Sequence, residues 1–361
     1  MHARKPTTGS SATPSARELD DRTGPQQQFH MVRRIAHRLG MGVGLVLAVV
    51  TVTFLLINLA PGDPARLWAS PGAGASELES VRRALGLDQP LLVRYAVWIG
   101  HFLQGDWGTS IAQQRPVARV ILDALPHTLL LSGSSLLLTY LGGIAVGAFQ
   151  AARRNTAWDT TLTVGNLVVF GMPAYWLAVM LVLTFAYAAS RYGWPAWTQL
   201  PAMGVASMDA DFLTTWGRFV DRMRHLTLPL LTLTAIGVAG TSRFVRGAVL
   251  DARGHPYINA ARARGLPSHV IERRYVIRNA LLPVITLLGL SLPALFSGTV
   301  FVEVIFAWPG MGREIVTAVS GRDYPVVMAT TAIFAVLVIA GNLLADLLYT
   351  AADPRLRETP R

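Results

Sequence analysis

"PYINAARARGLPSHVIERRYVIRNALLPVI", residues 256–285, sets Arg262, Arg264, Arg273, Arg274 and Arg278 at helical spacing in a chain that is 52% hydrophobic. No hydrocarbon core accepts so many arginines, so the segment must lie outside a membrane while leading directly into one. It reads as two short helices. The first starts near Pro256 and stops at Gly265 in a left-handed conformation, and Pro267 then suits the first turn of the second. In the second helix Val270, Ile277 and Leu281 share a face, with His269, Glu272, Arg273 and Arg274 largely elsewhere. The small residues Ala260, Ala261, Ala263 and Gly265 make the turn a compact knob, of the kind that seats in a groove on another protein.

Outward from this hairpin the chain is a series of apolar runs, at about 39–60, 128–152, 162–190, 226–246, 279–302 and 324–346. Each approaches the roughly 20 residues with which a helix crosses about 30 Å of hydrocarbon. The expected fold class is therefore all-α: a polytopic membrane protein with six transmembrane helices. Gly142, Gly143, Gly147, Gly171, Pro173, Pro229, Pro283, Gly289 and Pro293 lie within these runs, where small residues permit close helix packing and prolines kink. The pair Arg33-Arg34 ahead of the first run raises an export signal as an alternative. The length of the run and the lack of a small-residue cleavage pattern favour an uncleaved first span.

Basic charge supplies the orientation. With the N-terminus in the cytoplasm, segments 1–38, 153–159, 243–278 and 346–361 carry +4, +1, +6 and 0, the whole of the net +11, while 61–127, 191–225 and 303–323 sum to zero. That distribution satisfies the positive-inside rule with both termini cytoplasmic and explains the basic balance without nucleic acid. Residues 1–30 are a tail rich in Ser, Thr, Pro and Gln that reads as disordered. Residues 31–361 form the transmembrane domain, with an external loop at 61–127 and a cytoplasmic loop at 247–278. In the external loop Leu85, Leu92, Val93, Tyr95, Ala96, Ile99, Phe102 and Leu103 recur at helical spacing, and Trp98 and Trp107 suit a membrane interface.

Several chemistries are excluded. The sole lysine, Lys5, lies in the tail, so a GxxxxGK[ST] phosphate loop is impossible and the chain has no ATPase site of that kind. The spans hold no ionisable residue in their cores, which argues against the rival reading of an ion- or proton-coupled carrier or channel acting alone. A membrane scaffold without transport would leave the glycine- and proline-bearing spans without purpose. No HExxH, histidine cluster or nucleophile elbow occurs, and there is no cysteine; no catalytic residue, metal ligand or cofactor is expected. A protein built to move something, with no energy source of its own, must draw energy through a partner.

At this point the residues resemble a known family, the inner-membrane permease subunits of ABC importers in their dipeptide/oligopeptide branch. "NAARARG", Asn259 to Gly265, is similar to that family's cytoplasmic Glu-Ala-Ala, three residues, Gly pattern, with Asn259 in place of the Glu. "PGDPA" at 61–65, "LGLDQPLLVRY" with "GDWGTS", and "FAWPGMGREIV" with "GRDYPVV" at 306–327 resemble the same branch, so that the likeness runs from about residue 32 to 354. The resemblance implies a MetI-like permease fold in the cytoplasmic (inner) membrane of a bacterium. It implies a second homologous permease subunit, two ABC ATPase subunits inside, an extracytoplasmic substrate-binding protein outside, and ATP-driven alternating access. It assigns ATPase coupling to Asn259, Ala260, Ala261, Arg264, Gly265, Leu266 and Pro267. Gly171, Pro173, Trp176, Ser291 and Ser297 are candidates for the translocation path, because they place kinks or polar groups within spans three and five. Di- or oligopeptides lead as substrates, ahead of nickel chelates, glutathione-like molecules and glycosides.

Overall fold

A computed structural model describes residues 24–59, 72, 74–84, 88–292 and 299–352, for the backbone alone at 24–39, 81, 84, 346 and 348–352. The chain divides after Leu45 into two units, and all but the first part of one helix belongs to the second, Val46–Arg361. In chain order the helices are α1 (Gly24–Leu59), α2 (Ala75–Ala84), α3 (Leu91–Leu103), α4 (Val117–Ala152), α5 (Ala157–Gly171), α6 (Ala174–Arg191), α7 (Thr215–Gly254), α8 (Pro256–Ala263), α9 (268–291), α10 (Val300–Ile305), α11 (Met311–Ser320) and α12 (Tyr324–Ala352). Among the described residues the only extended pairing is an isolated bridge between Thr109 and Pro116.

Among the described residues five helices are long and apolar enough to cross a membrane: Gly40–Leu59, Val117–Ala152, Ala174–Arg191, Thr215–Gly254 and Tyr324–Ala345. The expected runs at 39–60, 128–152, 226–246 and 324–346 each coincide with one of these helices, and the other two runs are arranged differently. The run 162–190 is two helices, because Pro173 lacks an N–H and forces Met172 out of the helical region, to φ −80° and ψ 131°. Of the run 279–302, residues 279–291 belong to α9 and 300–302 to α10. Residues 293–298, with Pro293 and Ser297, fall outside the described residues, as do 61–65, Leu85 and the tail to residue 23.

Two helices exceed their apolar runs. α4 starts at Val117 rather than 128, because Val117, Val120, Ile121 and Ala124 form an apolar face that packs on Met311, Ala318, Val326, Val327 and Ala329. α7 likewise begins at Thr215, where the Thr214 side chain accepts from the Gly217 N–H and caps the helix. The two run against each other through glycine. A Cβ at Gly143 would stand 2.6 Å from the Thr241 side chain, and one at Gly147 would stand 2.5 Å from the Ser242 carbonyl oxygen. The absence of side chains there allows the backbones to approach. In α3, Tyr95, Trp98 and Phe102 turn inward against Val50, Phe54, Met328 and Ala332, while Leu92 and Leu103 face out, 80% and 79% exposed.

Candidate functional site

The hairpin of α8 and α9 is fixed from below by an apolar cluster and presents its turn outward. Ile258, fully buried, and Ala261 pack with Ala151 of α4, Val245, Val249 and Ala252 of α7, and Ile271, Val276, Ala280 and Val284 of α9. Burial of a side chain such as Ile258 contributes about 1.5–3 kcal/mol. α8 ends in a Schellman motif: the Leu266 N–H donates to the Ala261 carbonyl at 3.3 Å and the Gly265 N–H to that of Arg262 at 2.9 Å. Gly265 takes φ +73°, the left-handed conformation expected from its place in the sequence. Leu266 folds back onto the cluster that holds Ala261.

The seven coupling candidates are thereby sorted. Asn259, Ala260, Arg264, Gly265 and Pro267 are exposed and form the knob, together with Arg262 and Ala263, whereas Ala261 is buried and Leu266 half-buried. Of the expected face, Ile277 and Leu281 pack half-buried against this cluster, while the buried positions of α9 are Ile271, Val276, Ala280 and Val284, because residues Ile271–Ile277 form a π turn, whose i→i+5 spacing places Val276 beneath Ile271. His269, Arg273, Arg274 and Arg278 remain exposed.

Charged side chains that the sequence did not single out tie this region to the bundle. Arg253, near the end of α7, donates through Nε and Nη2 to both carboxylate oxygens of Glu272, and through Nη1 to the Ala151 carbonyl at the end of α4. Two turns earlier on α7, Arg246 makes a bidentate pair with Asp159, both bonds 2.8 Å. Asp159 precedes the apolar run, and the Arg246 guanidinium holds its carboxyl below the usual carboxylate range, helped by the Asn155 N–H and against the effect of burial. Nothing in the local sequence announces either pair, since their partners lie 19 and 87 residues away.

The path candidates fall in different places. Gly171, Pro173 and Trp176 mark the break between α5 and α6, with Trp176 43% exposed. The Ser291 Oγ lies 2.8 Å from the Tyr140 hydroxyl of α4. Ser297 is outside the described residues.

Toward the N-terminal end of α4, the motifs at 105–110, 306–316 and 321–327 meet. Glu303, without exposed surface, accepts from the Thr128 and Thr299 hydroxyls at 2.9 Å each and from the Gly312 and Arg313 N–H groups at 2.7 and 3.2 Å. It thus caps the N-terminus of α11, where unpaired N–H groups and the helix dipole favour a carboxylate. Gly310 and Gly312 leave the room it needs: a Cβ at either would stand 2.4 or 2.8 Å from Glu303 Oε2. Asp323 accepts from the Ser110 hydroxyl and from the Ala112 N–H, joining the loop before α4 to the start of α12.

With this geometry in view, the comparisons with known proteins are direct. Residues 143–358 match the family model described as "Binding-protein-dependent transport system inner membrane component", and residues 31–132 match its N-terminal counterpart. The chain belongs to this family. The permease is 36% identical over 327 residues to the oligopeptide transport system permease protein AppB of Bacillus subtilis, covering 90% of this chain and 99% of that one. It is 38% identical to the probable D,D-dipeptide transport system permease protein DdpB of Escherichia coli (87% and 95% covered). It is 37% identical to the glutathione transport system permease protein GsiC of Salmonella typhimurium (91% and 99%). The permease is a membrane transport subunit of an ABC importer, the component that spans the bilayer rather than the ATPase.

Proposed function

We propose that this permease carries short peptides inward across the cytoplasmic membrane, and that the α8–α9 hairpin is where ATPase subunits grip it. Short peptides are the class common to oligopeptides, D,D-dipeptides and glutathione, the substrates named for the three relatives above. The permease pairs with a second, homologous permease chain; two ATPase subunits bind inside and a substrate-binding protein docks outside. Both termini and the hairpin lie in the cytoplasm, in keeping with the net charge of +6 over 243–278. ATP-driven closure of the ATPases moves the hairpin and opens the path outward, so that peptide delivered by the binding protein enters. The break at Gly171–Pro173, with Trp176 beyond it, and Ser291 of α9 are the groups through which the path is expected to pass.

The observation that carries the coupling assignment is the combination of a rigid base with a bare tip. Ile258 and Ala261 are buried while Asn259, Ala260, Arg264, Gly265 and Pro267 are exposed, so the knob is held in one orientation and free to be received. A Cβ at Gly265 would meet no atom within 4 Å, so the constraint on this residue is its φ of +73° alone. Gly265→Val therefore misplaces the tip at a cost of about 1–2 kcal/mol or more. The expected result is a permease that inserts and binds its partner permease but releases the ATPases, read by pull-down beside a membrane-insertion control. Retention of the ATPases with normal uptake by the Val variant would remove the assignment.

A further inference from the structure

The apolar cluster beneath the hairpin binds α4, α7, α8 and α9 together, but apolar contact is non-directional and ties no particular pair of elements. The Arg253 fork is different. One guanidinium addresses two elements at once, taking both oxygens of Glu272 in the π turn of α9 and the Ala151 carbonyl of α4. That carbonyl belongs to the last turn of α4, where intrahelical donors run out, and the two before it, of Phe149 and Gln150, are taken by the Arg153 N–H. Arg253 is 24% exposed and Glu272 37%, so the pair is reachable by water and can re-form after a movement. Arg246, on the same face of α7, grips Asp159 on the far side of the turn that follows α4. Residues 151–159 are thus pinned to α7 at both ends by arginine, with the hairpin attached to one pin and not the other.

We propose that Arg253 is a positioning residue for transport: it transmits displacement of the hairpin, through Glu272, to the end of α4. The proposal rests on the hairpin being the ATPase-coupling element. A planar fork with several donors is required to hold a carboxylate and a carbonyl in fixed relation, and the single ammonium of lysine, on a flexible stem, cannot hold both. Glu272 lies in the π turn next to Ile271, which shares one apolar cluster with Ile258 and Ala261 of α8.

The test uses the whole complex, with partner permease, ATPases and binding protein, in lipid vesicles, and a tripeptide that the wild-type complex takes up. Arg253→Lys and Glu272→Ala are each expected to keep the ATPases bound and hydrolysing at close to the wild-type rate, while the ATP consumed per peptide rises about tenfold. The double variant is expected to be no worse than either single one, because both break one link. The relay is overturned if ATP per peptide stays at the wild-type value while only the yield of assembled complex falls, as a plain brace would behave. It is overturned equally if the two effects multiply. Gly265→Val, run alongside, separates the two ideas. Normal ATPase retention and uptake in that variant remove the coupling role of the hairpin itself, whereas release of ATPases by Gly265→Val with unaltered coupling in Arg253→Lys removes the relay alone.

Discussion

A third of the way along α4 the Thr128 hydroxyl donates to Glu303, which has no exposed surface, and accepts from the Met311 N–H; at the helix's C-terminal end the Ala151 carbonyl accepts from Arg253, which is 24% exposed. The first junction is saturated. All four bonds to Glu303 come from groups on α4, α11 and the turn before α10, and two of the donors are backbone N–H groups that cannot rotate away. The second is a side-chain fork within reach of water, next to a turn with an exposed tip. Buried polar junctions of the first kind fix a single arrangement, because every partner lost becomes an orphan in a low-dielectric interior. A wet ion pair contributes little to stability and can be exchanged. The same helix is therefore locked where it meets α11 and left adjustable where it meets the hairpin.

The sharpest way to break this contrast is to ask whether the two ends lie on opposite sides of the membrane. A cysteine at Gln113, exposed in the loop leading to the Thr128 end, is expected to react fully with an impermeant thiol reagent in intact cells. One at Thr156, exposed beside the Ala151 end, is expected not to react until the membrane is opened. Labelling at Thr156 and protection at Gln113 would invert the orientation. Next in size is the locked junction itself. Glu303→Ala strands the Thr128 hydroxyl and the Gly312 and Arg313 N–H groups and leaves a void, a loss of about 3 kcal/mol or more. Thermal unfolding in detergent should fall accordingly, with Glu303→Gln in between; equal melting of Ala variant and wild type would mean the junction is not a lock. The smallest effect belongs to the adjustable end. Arg264→Ala removes one exposed cation from the knob and is expected to weaken ATPase retention by less than about 1 kcal/mol, read as a titration of ATPase binding to the solubilised permease. A loss as large as that from Gly265→Val would show that charge, rather than shape, seats the knob.

What could be read from the sequence follows from which interactions are local. The helix stop at Gly265 and restart after Pro267 depend on backbone preferences of adjacent residues, and the glycines of α4 announced close packing that Thr241, Ser242 and Val245 supply. The break at Pro173 was visible as a proline, but the uninterrupted hydropathy around it read as one span. The α4 extension to Val117 was hidden by Arg119, Asp123 and His127, which interrupt hydropathy without interrupting the helix. The π turn leaves no mark in composition, so an assumed 3.6-residue period found Ile277 and Leu281, which line the cluster, and missed the buried Ile271 and Val276. Glu303, Asp159 and the Arg253 fork all depend on partners brought from distant positions, and such pairings are properties of the assembled bundle.

The length of α4 has a mechanical consequence. It contains 36 residues, so at about 1.5 Å per residue it is a rod of about 54 Å, of which about 35 Å separates Thr128 from Ala151. With Thr128 held by bonds of 2.8–2.9 Å, the rod has its fulcrum there, and a tilt of about 5° carries Ala151 sideways by about 3 Å. No hydrogen bond survives such a stretch. Either Arg253 and the hairpin travel with the tip of the rod, or the fork lets go once in every stroke.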